Sequence, residues 1–92
     1  MMDLKTTSKF RKDYKRCKKR GLNMDLLKDV INTLLEGATL DEKYHDHGLI
    51  GQYTGYRECH VQSDWLLIYR IDDKNLILTA VRTGTHSELL DI

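Results

Sequence analysis

All four histidines of this 92-residue chain lie between residues 45 and 86, in or beside a region that predicts β-strands. Imidazole titrates near neutral pH, so two histidines can act as proton acceptor and proton donor in one reaction. A carboxylate such as Asp64 can orient a histidine or act as a base. A guanidinium such as that of Arg82 can hold a phosphate bidentately and offset charge in a transition state. These groups suit RNA cleavage without a metal, in which a ribose 2′-hydroxyl attacks the adjacent phosphate; DNA lacks that hydroxyl.

The predicted strands bring four of these side chains together. Alternating and apolar runs favour strands at residues 55–61, 65–71 and 75–82, and the links between them are short, so the three form an antiparallel meander. In a meander, the turn after the first strand and the end of the third strand lie at the same end of the sheet. We therefore expect one cluster there, formed by His60, Asp64, Arg82 and His86.

Two helices are expected before the sheet. Phe10 and Cys17 lie at helical spacing within residues 7–20, and an apolar stripe runs through residues 24–36. The short connection predicts an antiparallel helical hairpin. The fold class is therefore α+β, with the N-terminal hairpin packed on one face of a small antiparallel sheet of three to four strands, the fourth at residues 2–6, and with the other face free for function.

Length and composition limit the class of protein. Residues 1–92 suffice for a single domain. No apolar run approaches the ~20 residues that span a bilayer, and the first residues lack the pattern of a signal peptide, so we expect a cytoplasmic protein without a membrane partner. Cys17 and Cys59 are far apart in sequence, which excludes a disulfide scaffold and a CxxC zinc site.

A net charge of +1 conceals a strongly basic N-terminal segment. Residues 1–20 contain nine Lys and Arg against two Asp, whereas the remainder contains six basic and twelve acidic residues. Such a segment is a candidate surface for the phosphates of RNA or the ribosome, and the alternative is an ordinary solvated helix face. The side chains that we assign to RNA or ribosome binding are Lys9, Arg11, Lys12, Lys15, Arg16, Lys18 and Lys19.

Two further features admit more than one interpretation. His45 and His47 offer two metal ligands, but a structural zinc site needs four and a catalytic site three. The remaining donors are not at metal-site spacing, so we predict no metal. Trp65 can stack on an RNA base or pack in the core, and its position in an apolar strand is compatible with both.

Several segments resemble the YafQ branch of the RelE/ParE toxin superfamily. They are SKFRKDYKR at residues 8–16, GYRECHVQSDWLLIY at residues 55–69 and RTGTHSELL at residues 82–90. In addition, YHDHGL at residues 44–49 is similar to that branch's Tyr-x-Asp-His-Pro-Leu segment. The resemblance covers nearly the whole chain in order, and it implies a RelE-like fold.

The resemblance also implies a function. It indicates the toxin of a type II toxin–antitoxin pair: a ribosome-dependent, metal-independent mRNA endoribonuclease, or mRNA interferase, which cleaves mRNA in the ribosomal A site by 2′-hydroxyl attack and so inhibits translation. The implied partners are the ribosome, mRNA and an acidic, partly disordered antitoxin, DinJ-like or related, and no cofactor is implied. The family's functional positions correspond here to His47, His60, Asp64, Trp65, Arg82 and His86.

The same resemblance suggests roles for these residues. By that analogy, Asp64 and His86 are the best acid–base candidates. His47 and His60 would assist proton transfer or hold the RNA, and Arg82 would stabilise the charge of the phosphorane. The residue types alone do not say which group is the base and which is the acid.

Three positions lie outside the family pattern. His45 is not part of the motif, and we expect it to be dispensable. Gly48 stands where the branch usually has proline, which predicts a looser loop around His47. Leu90 stands where several relatives carry a phenylalanine, which predicts a different codon preference.

Two other functions remain open at this point. One is a ParE-like DNA gyrase poison, a branch of the superfamily without a nuclease site. Clustered histidines argue against it, because a gyrase poison does not need several titratable groups on one sheet face. The other is a non-catalytic RNA- or protein-binding module in which the basic helix makes all the contacts.

Overall fold

The structure, a computed structural model, describes residues 1–90 apart from the side chain of Leu90. Its elements in chain order are β1 (Asp3–Thr6), α1 (Ser8–Lys19), α2 (Met24–Leu35), β2 (His47–Gly48), β3 (Arg57–Gln62), β4 (Trp65–Asp72), β5 (Ile77–Gly84) and α3 (His86–Leu90). The two long helices begin and end within one or two residues of the predicted bounds.

The α+β class is confirmed, and the sheet is larger than predicted. Its five strands lie in the order β1-β5-β4-β3-β2. Strands β3, β4 and β5 form the predicted antiparallel meander. The predicted fourth strand, β1, is present, but it pairs with β5 in parallel. The sheet is therefore mixed, because the helices between β1 and the meander supply the crossover that a parallel pair needs. Strand β2 was not predicted, since two residues are too few for a periodic pattern.

Local signals explain where the helices begin. The Thr7 hydroxyl caps α1 by accepting the backbone N–H of Phe10 at 2.9 Å. The Asn23 side chain caps α2 by accepting the backbone N–H of Asp25 at 3.1 Å. Gly21, between the two helices, has φ of +80°, a backbone conformation that favours glycine.

Both long helices bury their apolar stripes against one face of the sheet. The main core there includes Phe10, Cys17, Leu27, Val30, Leu34, Cys59, Val61, Trp65, Leu67, Tyr69 and Leu78. We had expected the opposite face of the sheet to be free, but part of it is covered. Leu66 and Ile68 of β4 pack there against Leu89 of α3, which forms a second, smaller core. This short helix therefore covers part of the face on which the histidines lie.

Neither cysteine forms a disulfide bond, and both are buried. Burial raises the pKa of the Cys59 thiol to about 12, so it stays protonated and unreactive at neutral pH. Within residues 1–90, no helix is long and apolar enough to cross a membrane.

Candidate active site

A buried carboxylate lies at the centre of the histidine cluster. Glu58 on β3 is 3% exposed. Its Oε1 atom lies 3.5 Å from Nε2 of His86, 3.6 Å from Nε2 of His60 and 3.8 Å from Nε2 of His47. We call Glu58 and these three histidines the histidine–glutamate cluster. In this cluster, three imidazole rings surround one carboxylate oxygen.

Strand geometry explains this convergence. His47 stands directly opposite Glu58 in the β2–β3 ladder. His60 lies two residues beyond Glu58 on the same strand, and therefore on the same face. Glu58 was absent from the predicted site. The alternation of residues 55–61, which places it beside His60, is the signal that could have found it.

Asp64 and His86, which the predicted meander brings to one end of the sheet, are joined by a hydrogen bond. Asp64 Oδ1 lies 2.8 Å from His86 Nδ1 and accepts the His86 backbone N–H at 3.2 Å. The side-chain bond, followed by the backbone bond, holds the pKa of the Asp64 carboxyl below its usual range. An ionised carboxylate can only accept, so Nδ1 of His86 carries the proton of this bond. Nε2 of His86 then faces the cluster.

A capping box sets the position of His86 at the start of α3. The backbone N–H of Glu88 donates to the Thr85 hydroxyl at 3.2 Å, and the Thr85 N–H donates back to Glu88 Oε1 at 3.0 Å. His86 is thereby the first residue of the helix, and its ring packs edge-on against that of His60, with centroids 5.5 Å apart.

Arg82 is hydrogen-bonded to Asp13 and not to the cluster in which it was expected. Its Nε donates to Asp13 Oδ2 at 2.7 Å and its Nη2 donates to Asp13 Oδ1 at 3.1 Å. Asp13 is 2% exposed on α1, and a buried charge needs such a partner. These hydrogen bonds raise the pKa of Arg82. In the described part of the chain, Arg82 forms no hydrogen bond or ion pair with the histidines. Of the four residues expected in one cluster, the structure therefore brings together three: His60, Asp64 and His86.

Trp65 belongs to the core, which corrects its assignment to RNA binding. The residue is 4% exposed, and its indole N–H donates to the Thr83 hydroxyl at 2.9 Å. The physical reason is that β4 is covered on both faces. The ring is therefore almost wholly covered by the protein.

The lysines and the arginines of the basic helix α1 have different surroundings. Its lysines are all exposed, and we call them the lysine row: Lys9, Lys12, Lys15, Lys18 and Lys19. The arginines bind the protein instead. Arg11 donates to the backbone oxygen of Thr6 at 2.8 Å. Arg16 Nη2 lies 3.0 Å from Asp13 Oδ1. Arg16, which we predicted to bind RNA, thus forms an ion pair within the protein.

The loop that carries His47 is anchored to the sheet through Asp46. Asp46 Oδ2 accepts a hydrogen bond from Arg57 Nη2 at 3.1 Å, and its Oδ1 accepts one from the Tyr69 hydroxyl. His47 Nδ1 lies 2.7 Å from the backbone oxygen of His45. The His45 ring, although outside the family motif, lies 5.4 Å from the His60 ring.

Gly48 is paired with Arg57 within β2 and β3. A Cβ atom at position 48 would meet only the far end of the Arg57 side chain, at 3.7 Å, so close packing does not demand glycine here. The looser loop predicted from Gly48 stays a prediction. The Leu90 side chain, on which the codon prediction rests, lies outside the described residues.

Three side chains of the site could hold a metal ion. The ligand atoms of Glu58, His60 and His86 lie within 4.8 Å of one another. Two imidazoles and a carboxylate form a common three-ligand set for zinc. The spacing argument considered His45 and His47 and could not foresee this set, because the fold brings residues 58 and 86 together.

Two cavities flank the turn between β3 and β4. One, of about 310 Å³, is lined by Arg20 and Asp64; the other, of about 470 Å³, is lined by Tyr44 and His60. Gln62 and Ser63 of the turn border both. The surface therefore has a cavity on each side of this turn, one beside Asp64 and one beside His60.

Comparison with known proteins agrees with this fold. Residues 2–91 match the family model described as "Bacterial toxin of type II toxin-antitoxin system, YafQ". The chain belongs to this family of YafQ toxins, which confirms the resemblance seen in its motifs.

Individual relatives are similar over nearly their whole length. The mRNA interferase toxin YafQ of Escherichia coli K12 is 40% identical over 88 residues, covering 95% of this chain and 94% of the relative. A metal-bound toxin from Helicobacter pylori has a TM-score of 0.91 and 42% identity, covering 97% of this chain and 99% of that one. YafQ in the E. coli DinJ–YafQ complex has a TM-score of 0.88 and 38% identity, with 97% and 98% covered.

Proposed function

We propose that this chain is an mRNA interferase that cleaves mRNA in the A site of the ribosome by 2′-hydroxyl attack and without a metal. The observation that carries the proposal is the histidine–glutamate cluster, in which two imidazoles meet one buried carboxylate and the Asp64–His86 pair joins them. The name of the E. coli relative supports an RNA substrate. A protein that acts on ribosomes in this way would work in the cytoplasm, and we include that location in the proposal.

The chemistry requires two proton transfers. The 2′-hydroxyl attacks the adjacent phosphorus and loses its proton to a base, while the 5′-oxygen leaves with a proton from an acid. His60 and His86, with ring centroids 5.5 Å apart, are the groups that we assign to these transfers. Glu58 Oε1 faces Nε2 of both rings and stabilises whichever ring has gained a proton.

Asp64 has a different part in this proposal from the one that family analogy suggests. Its lowered pKa means that it is ionised at neutral pH and holds no proton to donate. Its hydrogen bond fixes the orientation and tautomer of His86, as the aspartate of a catalytic triad does for its histidine. His47 lies 3.8 Å from Glu58 and is more exposed, which suits a contact to the RNA.

Arg82 supplies positive charge near this site. Asp13 occupies its Nε and Nη2, and Nη1 takes no part in those two hydrogen bonds. We assign Arg82 to stabilising the charge that develops on the phosphorane. The raised pKa ensures that it remains charged.

The lysine row of α1 docks on ribosomal RNA. Five exposed cations on one helix give a strong, salt-dependent attraction to phosphates and little discrimination between bases. The natural inhibitor would be an acidic, partly disordered antitoxin that covers this surface and folds as it binds. The DinJ–YafQ complex of E. coli provides the precedent for such a partner.

A metal ion bound at the cluster would be held by Glu58, His60 and His86. It would supply Lewis-acid chemistry, and the metal-bound H. pylori toxin is a precedent for binding. The same imidazole nitrogens are the ones that must exchange protons in our mechanism. We therefore expect a bound transition metal to inhibit cleavage.

Primer extension on translating ribosomes tests the proposal. Purified protein should produce new mRNA ends within the A-site codon. A chelator selective for transition metals should leave this cleavage unchanged, with Mg²⁺ held constant because ribosomes need it. Abolition of cleavage by that chelator would show that a transition metal is required. Inhibition of gyrase in a supercoiling assay, with intact mRNA, would favour the ParE-like alternative. Salt-sensitive ribosome binding without any cleavage would favour a binding module.

A further inference from the structure

We propose that Glu88 is a positioning residue: it ties the helix that carries His86 to Arg16 and Arg20 of the basic segment. Those two arginines then act on the cleavage step rather than on ribosome docking. The inference rests on the proposed nuclease function, because it gives a role to residues that do not themselves touch the reacting atoms.

The contacts join α3 to α1 through a single side chain. Glu88 Oε2 lies 3.0 Å from Arg16 Nε, and Glu88 Oε1 lies 3.1 Å from Arg20 Nη1. Glu88 Oε1 also accepts the N–H of Thr85 in the capping box. The first cause of the lowered pKa of Glu88 is this Thr85 hydrogen bond, and the charges of the two arginines act in the same direction.

Helix α3 depends on such contacts for its order. It has only five residues, and a helix this short has little stability of its own in water. His86 is its first residue, so any change in how α3 docks moves the ring relative to Asp64 and Glu58. The Glu88 contacts are therefore well placed to control the geometry of proton transfer.

Gly84 shows how closely this contact is packed. A Cβ atom at Gly84 would lie 3.0 Å from Glu88 Oε1 and 3.1 Å from Arg16 Nη2. Gly84 also has φ of +152°, which disfavours other residues. The backbone before α3 thus passes directly against the ion pair, with no room for a side chain.

Arg16 contacts both of the carboxylates that hold His86 and Arg82 in place. Its Nε lies 3.0 Å from Glu88 Oε2 in the ion pair that positions His86, and its Nη2 donates to Asp13, which holds Arg82. The lysine row has no equivalent contacts within residues 1–90. The basic segment therefore has two separable functions: lysines that meet the ribosome and arginines that maintain the site.

Glutamine and alanine at position 88 separate the contribution of the capping box from that of the ion pairs with Arg16 and Arg20. Glu88→Gln keeps an N3 side chain that can complete a capping box but removes the ion pairs; Glu88→Ala removes both. We expect Glu88→Ala to slow single-turnover cleavage by about 10- to 100-fold, because small displacements of catalytic groups have effects of this size. Glu88→Gln should be intermediate. Ribosome affinity should be unchanged in both. Glu36→Gln, the same chemical change at an exposed residue that caps the C-terminus of α2, is the matched control.

The double variant Arg16→Gln/Arg20→Gln should likewise slow cleavage without weakening ribosome binding. A wild-type cleavage rate with reduced ribosome affinity in this variant would overturn the inference. A wild-type rate for Glu88→Gln would also overturn it, since the arginines would then be irrelevant.

NMR of the His86 ring gives a readout that does not depend on nuclease activity. In the folded wild type, the Nδ1 proton should show the hydrogen bond to Asp64. In Glu88→Ala, whose folding is checked by circular dichroism, that signal should be weakened or lost. An unchanged His86 signal would contradict the positioning role even if the protein proved not to be a nuclease.

Discussion

Replacement of Glu58 by glutamine is the most direct test of the site, because it removes one charge and almost no volume. In the proposed mechanism, a histidine becomes positively charged when it takes up the 2′-hydroxyl proton. That charge lies about 3.5 Å from Glu58 Oε1. With an effective dielectric constant of about 20, two unit charges at this separation attract each other by roughly 5 kcal/mol.

Glutamine keeps part of this stabilisation. Its neutral amide oxygen can accept a hydrogen bond from the protonated ring, and a hydrogen bond to a charged group contributes roughly 1.5–3 kcal/mol. The transition state should therefore lose roughly 2–3 kcal/mol, which corresponds to about 10²-fold in rate. Folding should not suffer, because a neutral amide costs less to bury than a carboxylate.

The assay is single-turnover cleavage of mRNA on purified ribosomes, with Glu36→Gln as the control for the chemical change. Circular dichroism and thermal melting establish that Glu58→Gln is folded. We expect slow cleavage, unchanged ribosome affinity and an unchanged or higher melting temperature. A folded Glu58→Gln variant that cleaves at the wild-type rate would refute the role that we give to the buried carboxylate.

Four further predictions follow from the same contacts. Asp64→Asn and His86→Gln should each reduce cleavage by about 10²- to 10⁴-fold while both still bind ribosomes in a pelleting assay. By NMR, the pKa of the Asp64 carboxyl should lie below its usual range, and it should rise in His86→Ala. The stability that this bond contributes is complete above the ordinary pKa of an aspartate and is lost as the pH falls through the lowered pKa. Asp13→Ala should lower the free energy of unfolding by about 3–5 kcal/mol in denaturant titrations, because it leaves Arg82 without its partner. Reversing four exposed lysines should abolish ribosome binding at physiological salt and leave the circular dichroism spectrum unchanged; they are Lys12, Lys15, Lys18 and Lys19.

Each of these predictions has a result that would count against it. Full cleavage by Asp64→Asn would remove Asp64 from the mechanism, and an ordinary Asp64 titration would mean that the bond to His86 does not form in solution. A stable Asp13→Ala variant would show that Arg82 finds another partner. Unchanged affinity after lysine reversal would move the ribosome contact away from α1.

The sequence was sufficient to predict the side chains that follow from strand order. Short links make β3, β4 and β5 a meander, and a meander brings Asp64 and His86 to one end of the sheet. The long helices were predictable for a similar reason, because each has an apolar stripe with a period near 3.6 and a capping residue before it.

Other parts of the site depend on tertiary contacts. The β5 strand carries an extra residue opposite the step from Ile68 to Tyr69, and such a bulge changes the direction of the side chains around it. Alternation therefore could not tell that Arg82 would bind Asp13. Glu58 was missed because alternation places it on the same face as His60 but does not show that His47 and His86, from two other segments, will surround it.

The parallel pairing of β1 with β5 has a consequence for how the protein is made. Asp3 stands opposite Ile77, and the Thr7 hydroxyl donates to the backbone oxygen of Val81, 74 residues later. During synthesis the N-terminal strand has no partner until β5 has been translated, and contacts of such long range form slowly. The site also waits for His86, which follows β5. A partly made chain therefore carries the basic helix but not a finished nuclease, so it should not cleave the mRNA from which it is being translated.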